Sequence, residues 1–212
     1  MKNEILPKAI FIDWYKTLSN SQFWFQLREP SHLYHKYQEQ IENALYRDNR
    51  ELINPWMRGE YSSEDICKLI SKQSGIDTKI VFEELKNSCE NLQFIDNRVF
   101  EIIKNIRNKG INVSIATDNM DTFSRFTVPA LGLDKLFDDI LISSDLKHLK
   151  GDFDGNRILF FENYLKEHKL KFSDAVLIDD CIDKTGIYDK LGFKIMQVTS
   201  ERSLYEILFN LQ

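Results

Sequence analysis

Apolar and polar positions alternate along this chain in two textures. From Val99 onward, short apolar runs bounded by Gly and Asp alternate with helical patterns. After Asn97, the residues Val99, Ile102, Ile103 and Ile106 fall at i, i+3, i+4 and i+7, and Gly110 supplies a C-terminal stop. INVSIA (111–116) then predicts a strand ending at Thr117 and Asp118, followed by a helix around 121–131 and a strand at 139–143. ILFFENYLKEH (158–168) is helical, AVLID (175–179) is a strand ending in acids, and FKIMQV (193–198) is a strand before a terminal helix. Near the N-terminus, AIFI (9–12) is an apolar run that stops at Asp13 and reads as the first strand. Strands that alternate with helices of this length predict an α/β fold: a Rossmann-like parallel sheet with helices on both faces.

Residues 20–96 break that rhythm. HLYHKYQEQIENALY, SEDICKLISKQ and KIVFEELKNSCENL are helical patterns with polar faces, and no strand stands out among them. The pattern predicts an α/β core made of residues 1–19 and 97–212, interrupted by an all-helical cap over 20–96. The hinges are expected near Ser19–Ser21 and Phe94–Asn97.

Composition narrows the function. The 212 residues are 42% hydrophobic and 29% charged, ordinary for a protein with a real core. The net charge of −5, with no cluster of Lys and Arg, argues against sequence-independent binding to nucleic acid or to anionic membranes. Only four apolar residues (9–12) precede Asp13, too few for a signal peptide core or a spanning helix. Cys67, Cys89 and Cys181 are odd in number and lack metal-type spacing, which points to reduced thiols and a cytoplasmic setting. Oligomeric state leaves no signal. No phosphate-cradling Walker loop or GxGxxG fingerprint is present.

The chemistry gathers at strand ends: Asp13 and Thr17 after the first strand, Thr117 and Asp118 after the second, Asp179 and Asp180 after AVLID. Lys150 follows in SSDLKHLKGD. Open parallel sheets bind ligands at the carboxyl ends of their strands, so this topology would bring distant residues together. Carboxylates crowded there repel, each pair about 4 Å apart costing roughly 4 kcal/mol at an effective dielectric of about 20. A hard divalent cation relieves that conflict, and an oxygen-only donor set suits Mg²⁺. Such a cation draws in phosphate, whose remaining charge Lys150, Thr17 and Thr117 could hold. Read singly, Thr117 and Asp118 could equally cap the next helix, and Asp179 and Asp180 could favour a helix start.

Taken together these motifs resemble the haloacid dehalogenase (HAD) superfamily over nearly the whole chain. DWYKTL (13–18) is similar to its first motif, SIATDN (114–119) to its second, SSDLKHLKGD (143–152) to the stretch ending in its lysine, and AVLIDDCIDKTG (175–186) to its paired-acid fourth motif. The insert at 20–96 sits where the helical-cap subclass carries its lid. The resemblance implies Asp13 as nucleophile through a phosphoaspartate, and Lys150 as the charge clamp. Thr17, Thr117 and Asp118 would stand at the phosphoryl group. Mg²⁺ would be held by Asp13, Asp180 and the Tyr15 carbonyl, with Asp179 behind Asp180.

One position departs. The family's phosphatases carry aspartate where this chain has Tyr15, and use it as general acid and base. A phenol ionises near pH ~10, so it can donate a proton but is a poor base near neutrality. The expected activity is phosphoryl hydrolysis or transfer on a small soluble phosphorylated molecule, slowed or restricted to good leaving groups. Two alternatives remain at this point: a non-catalytic descendant that binds a phospho-ligand or a protein, and a metal-free 2-haloacid dehalogenase, whose family members also carry Tyr here. Phe23, Trp24, Phe25 and Trp56 could line the mouth of the site, and Arg58 could reach a substrate anion. Lys147 is a rival to Lys150, Lys16 reads as a solvated loop residue, Asp183 as a helix-start acid, and His32 with His35 as one polar helix face.

Overall fold

The computed structural model describes residues 6–212. Residues 1–5, which the expected core includes, lie outside the described residues. Seven strands form: β1 (Ala9–Ile12), β2 (Asn112–Thr117), β3 (Ile140–Ile142), β4 (Phe153–Asp154), β5 (Arg157–Ile158), β6 (Ala175–Asp179) and β7 (Lys194–Gln197). Five of them make one parallel sheet in the order β3-β2-β1-β6-β7, and β4 with β5 is a separate antiparallel pair. The short hairpin went unread in the sequence, since two-residue strands carry no alternation.

β1 and β6 run as unbroken apolar stretches because both faces of the sheet are covered. Ile10, Ile12, Val113, Ile115, Val176 and Ile178 face one core, closed by the helices Val99–Asn108 and Leu204–Phe209. Ala9, Phe11, Ala116, Ala175 and Leu177 face the other, with Phe160, Phe161 and Tyr164 of the helix Leu159–Glu167. Ile10 and Ile12 are fully buried, each worth about 1.5–3 kcal/mol. β1 pairs with β2 on one side and β6 on the other. The chain therefore builds outward from β1 in one direction and then returns to build in the other, so the crevice of the sheet opens where β1 ends.

Between β1 and the helix Val99–Asn108 the chain is helical. Its two long helices, Ser63–Ser74 and Thr78–Glu90, start on capped ends: Ser62 and Asp65 form a capping box, and Asp77 accepts from the Lys79 N–H at 2.8 Å. This segment has its own core, built on Trp24, Leu45, Trp56, Ile66, Val81 and Leu85, with Met120 reaching in from the sheet side. The chain enters and leaves at one place. Ser19 bridges Phe94, Ser19 Oγ donates to the Gln93 carbonyl at 2.6 Å, and the Ile95 N–H donates to the Leu18 carbonyl at 2.9 Å.

The predicted helix over HLYHKYQEQIENALY forms from His35 onward, as a continuous run of mixed type: a 3-10 turn (His35–Tyr37), a short α-helix (Gln38–Glu42) and a π turn (Asn43–Arg47). His32 precedes all three and lies 3.5 Å from Glu84, while His35 Nδ1 meets the Leu27 carbonyl at 2.7 Å. The two rings do not share a helix face. Among the described residues no helix is long and apolar enough to cross a membrane.

Candidate functional site

Asp13 begins the loop that leaves β1, its N–H donating to the Ile178 carbonyl of β6 at 2.9 Å. That bond carries the sheet one residue past the strand and points the carboxylate, only 6% exposed, into the crevice. Lys150 meets it there. Its Nζ lies 2.6 Å from Asp13 Oδ1 and 2.6 Å from Asp179 Oδ2, so one ammonium joins the ends of β1 and β6. Lys147 instead donates to the Gly59 carbonyl at 3.2 Å.

The Lys150 loop is fixed through its backbone. The Lys150 N–H donates to Asp118 Oδ1 at 2.9 Å, and its carbonyl accepts from the Tyr188 hydroxyl at 2.8 Å. One residue earlier, the Leu149 N–H donates to Asp152 Oδ2 at 2.8 Å. Asp118 thus holds the lysine's own peptide group with its side chain. Neither that clamp nor Tyr188 was read from the sequence: a carboxylate bonded to a backbone N–H 32 residues away leaves no pattern.

Asp13, Tyr15, Asp118, Lys150, Asp179 and Asp180 all line one cavity of about 460 Å³. The two threonines stand elsewhere. Thr117 is buried at the end of β2, and Thr17 lines a neighbouring cavity of about 660 Å³ with Lys16 and Asp180, its buried hydroxyl without a partner among the described residues. Lys16 has a φ of 62°, a left-handed conformation that costs a non-glycine residue roughly 1–2 kcal/mol. Its ammonium is exposed and reaches Asp180 at 4.0 Å.

The electrostatics follow from burial. Asp13 is pushed up to about 7, chiefly by burial and further by Asp179, against the pull of Lys150. For Lys150, burial works against the ammonium, yet Asp13, Asp179 and Asp118 outweigh it and hold the group above the ordinary lysine value. Burial also raises Asp118. Cys181 is pushed up to about 11 by burial and by Asp179 and Asp180, which keeps the thiol protonated and inert.

The donor set at the ends of β1 and β6 is rich in oxygen. Lys150 engages Asp13 and Asp179 through one oxygen each, and the Asp179, Asp180 and Cys181 ligand atoms lie within 4.8 Å of one another. Asp180 is partly exposed, and its backbone is held by Gln197 Nε2 donating to its carbonyl at 3.0 Å. Five carboxylates (Asp13, Asp118, Asp179, Asp180 and Asp183) line the cavity with the cations Lys150 and Lys184, and Lys16 reaches Asp180 from the neighbouring cavity, leaving an excess of negative charge on oxygen donors. That combination fits a hard divalent cation.

Arg58, Trp56 and Trp24 fall outside this cavity, whereas Asp183 lines it. Arg58 is committed to Asp152 by two hydrogen bonds, 2.9 and 2.6 Å. Trp56 is fully buried with its Nε1 donating to Ser63 Oγ at 3.2 Å, and Trp24 donates to the Val81 carbonyl at 3.0 Å. Asp183 accepts from the N–H groups of Thr185 and Gly186, a loop-closing role. Tyr15 is 38% exposed at the edge of the cavity, and its hydroxyl accepts from Gln22 Nε2 at 2.7 Å.

The fold has counterparts among solved structures. A predicted HAD-like family hydrolase from Porphyromonas gingivalis superimposes with a TM-score of 0.71 at 16% identity, covering 98% of each chain. A HAD family enzyme from Bacteroides thetaiotaomicron, solved with magnesium and inorganic phosphate, gives 0.65 at 12% identity over 93% of this chain and 96% of its own. The L-2-haloacid dehalogenase from Xanthobacter autotrophicus gives 0.61 at 14% identity over 92% and 80%. These identities speak for the fold alone. No curated protein sequence matches. The haloacid dehalogenase-like hydrolase family, however, matches residues 7–184, a span that starts ahead of β1 and runs past the paired acids of β6. On that match, over a fold that gathers its polar groups where β1 ends, the chain belongs to the haloacid dehalogenase-like hydrolases.

Proposed function

We propose that this hydrolase cleaves small phosphate monoesters with Mg²⁺, through a phosphoaspartate on Asp13. The observation that carries the reading is the single ammonium of Lys150 held 2.6 Å from both Asp13 and Asp179, with Asp180 in the same cavity. A metal-free haloacid enzyme would gather these extra acids beside an anionic substrate with nothing to offset them. The B. thetaiotaomicron relative, solved with magnesium and inorganic phosphate, supports the same reading.

Asp13, Asp180 and the carbonyl of Tyr15 would hold the cation, and Asp179 would brace Lys150. When bound, Mg²⁺ would neutralise charge on the transferring phosphoryl oxygens. Asp13 attacks phosphorus as the ester bond breaks, and water then cleaves the acyl phosphate to return the free carboxylate. Lys150 keeps Asp13 oriented and offsets its charge. Thr117, buried at the end of β2, and Thr17, in the loop after β1, would stand behind this centre on the phosphoryl side. Residues 20–96 act as a cap over a core of residues 1–19 and 97–212, hinged where Ser19 and Phe94 bridge. Asp13 must ionise to attack, so a raised proton affinity in the metal-free protein makes the nucleophile pH-dependent as well as metal-dependent.

The test is phosphate release from a panel of esters and halide release from 2-haloacids, with Mg²⁺ and with a chelator. Metal-dependent phosphate release that Asp13→Asn abolishes is the expected result. Halide release in the presence of chelator would overturn the reading.

A further inference from the structure

A third cavity, of about 340 Å³, lies between the helical segment and the core, and it shares Tyr15 and Asp118 with the cavity that holds Asp13. A group esterified to a phosphate at Asp13 would extend past Tyr15 into this space. Most of its wall is apolar: Trp14, Phe23, Tyr46, Ile53, Leu92 and Met120. The space is of the size that takes a small organic ligand.

Most of its polar side chains are already engaged: Asp118, Ser21 and Asn119 accept from the N–H groups of Lys150, Gln93 and Met120, and Tyr15, Gln22, Arg28 and Glu42 pair with one another. Gln22 Nε2 donates to the Tyr15 hydroxyl at 2.7 Å, and Arg28 donates to the Gln22 side-chain oxygen. Arg28 also bonds Glu42 through Nε at 3.2 Å and Nη2 at 3.0 Å, and the second Glu42 oxygen accepts from Gln38 Nε2 at 2.9 Å. Arg28, the one cation of the wall, is answered by Glu42, the one carboxylate that the helical segment contributes to it. A second phosphate or a carboxylate on the substrate would have to break that pair. A sugar would press several hydroxyls against hydrocarbon, where unpaired polar groups are costly.

The departure at Tyr15 points the same way. Its oxygen accepts from Gln22, which leaves the phenolic O–H available as a donor toward the site. A phenol leaves far more readily than an alkyl alcohol, because it ionises near pH ~10. A site without a carboxylic acid at this position therefore suits an ester whose leaving group needs little protonation.

Resting on the phosphatase reading above, we infer that the substrates are phosphate monoesters of uncharged aryl alcohols, with the aromatic group seated among Phe23, Tyr46, Ile53, Leu92 and Met120. Asp13 displaces the aryl oxygen from phosphorus, the P–O(aryl) bond breaks, and its electron pair leaves as a phenolate. Tyr15 gives that phenolate its proton. Water then hydrolyses the acyl phosphate to inorganic phosphate and free Asp13, and the proton it releases restores Tyr15.

The experiment compares the Mg²⁺-loaded protein on 1-naphthyl phosphate, phenyl phosphate, glycerol 3-phosphate, a hexose 6-phosphate and acetyl phosphate. The aryl esters should exceed the sugar phosphate in kcat/KM by about 100-fold. Phe23→Ala should raise KM for 1-naphthyl phosphate about tenfold while affecting acetyl phosphate less, since acetate leaves the cavity unfilled. A sugar phosphate that matches the aryl esters, or a Phe23→Ala effect equal on both substrates, overturns the inference. Failure of every ester would count against the phosphatase reading. Calorimetric titration of Asp13→Asn with Mg²⁺ still reads the cavity: 1-naphthyl phosphate should bind at least about tenfold tighter than hexose 6-phosphate, and equal affinities overturn the aryl assignment.

Discussion

Arg58 of the helical segment and Asp152 of the core, 94 positions apart, face each other through two hydrogen bonds of 2.9 and 2.6 Å. The same Asp152 accepts from the Leu149 N–H, one residue before Lys150. This ion pair thus ties the helical segment to the loop that carries the lysine. Arg58→Ala should cost little stability, about 1 kcal/mol or less for so open a pair. It should lower kcat/KM further than that, because Lys150 loses one of its supports. Urea unfolding compared with steady-state kinetics separates the two effects, and a loss of stability without a loss of rate would refute the link.

Removing the lysine itself should be severe. Lys150→Met leaves Asp13 and Asp179 buried, 8% and 6% exposed in their side chains, with no ammonium between them. Breaking a buried pair in this way costs about 3–5 kcal/mol. The expected result is a large drop in the urea midpoint at neutral pH, together with loss of phosphate release.

The raised proton affinity of Asp13 gives stability a definite pH dependence in the metal-free protein. Folded Asp13 keeps its proton up to about 7, whereas an unfolded aspartate releases it near pH ~4. Between those values the native state binds more protons, so this group's contribution to stability falls as pH rises through the window. Asp13→Asn should therefore melt higher than the parent above pH 7 in chelator, by about 2–4 °C for each kcal/mol relieved, and the difference should shrink toward pH 4. Thermal melts across that range check it. A gap that widens at low pH would show the sign to be wrong.

Tyr15→Asp would place a carboxylic acid and base beside the nucleophile. General acid–base catalysis is worth about 10²–10⁴-fold, and the gain should fall on alkyl phosphates, whose leaving groups need a proton. Aryl phosphates should change much less. A plot of log kcat/KM against leaving-group pKa should flatten in the variant, and an unchanged slope would show that Tyr15 does not limit leaving-group departure.

Hydrophobic period and turn residues determined much of this protein by themselves. Strands buried on both faces must be apolar along their whole length, which made AIFI and AVLID legible as sheet, and the i, i+3, i+4, i+7 spacing of Val99 to Ile106 made that helix legible too. A strand that ends abruptly on an acid pointed to Asp13 and Asp179, whereas Lys150 was singled out by the resemblance of SSDLKHLKGD to a family motif. Short-range rules also covered the helices Ser63–Ser74 and Thr78–Glu90. Over 32–47 they found the helix but neither its start at His35 nor its mixed type, where contacts such as His35 on Leu27 and Arg28 on Glu42 pin the chain. Tertiary structure alone decided that Asp118 grips the Lys150 backbone, that Arg58 is spent on Asp152, and that Gln22 stands between Arg28 and Tyr15. Each of those is a bond between side chains or loops whose positions follow only from how the sheet is ordered and the helical segment docks. Local pattern encodes which face of an element is buried, and it carries no record of which element will lie opposite.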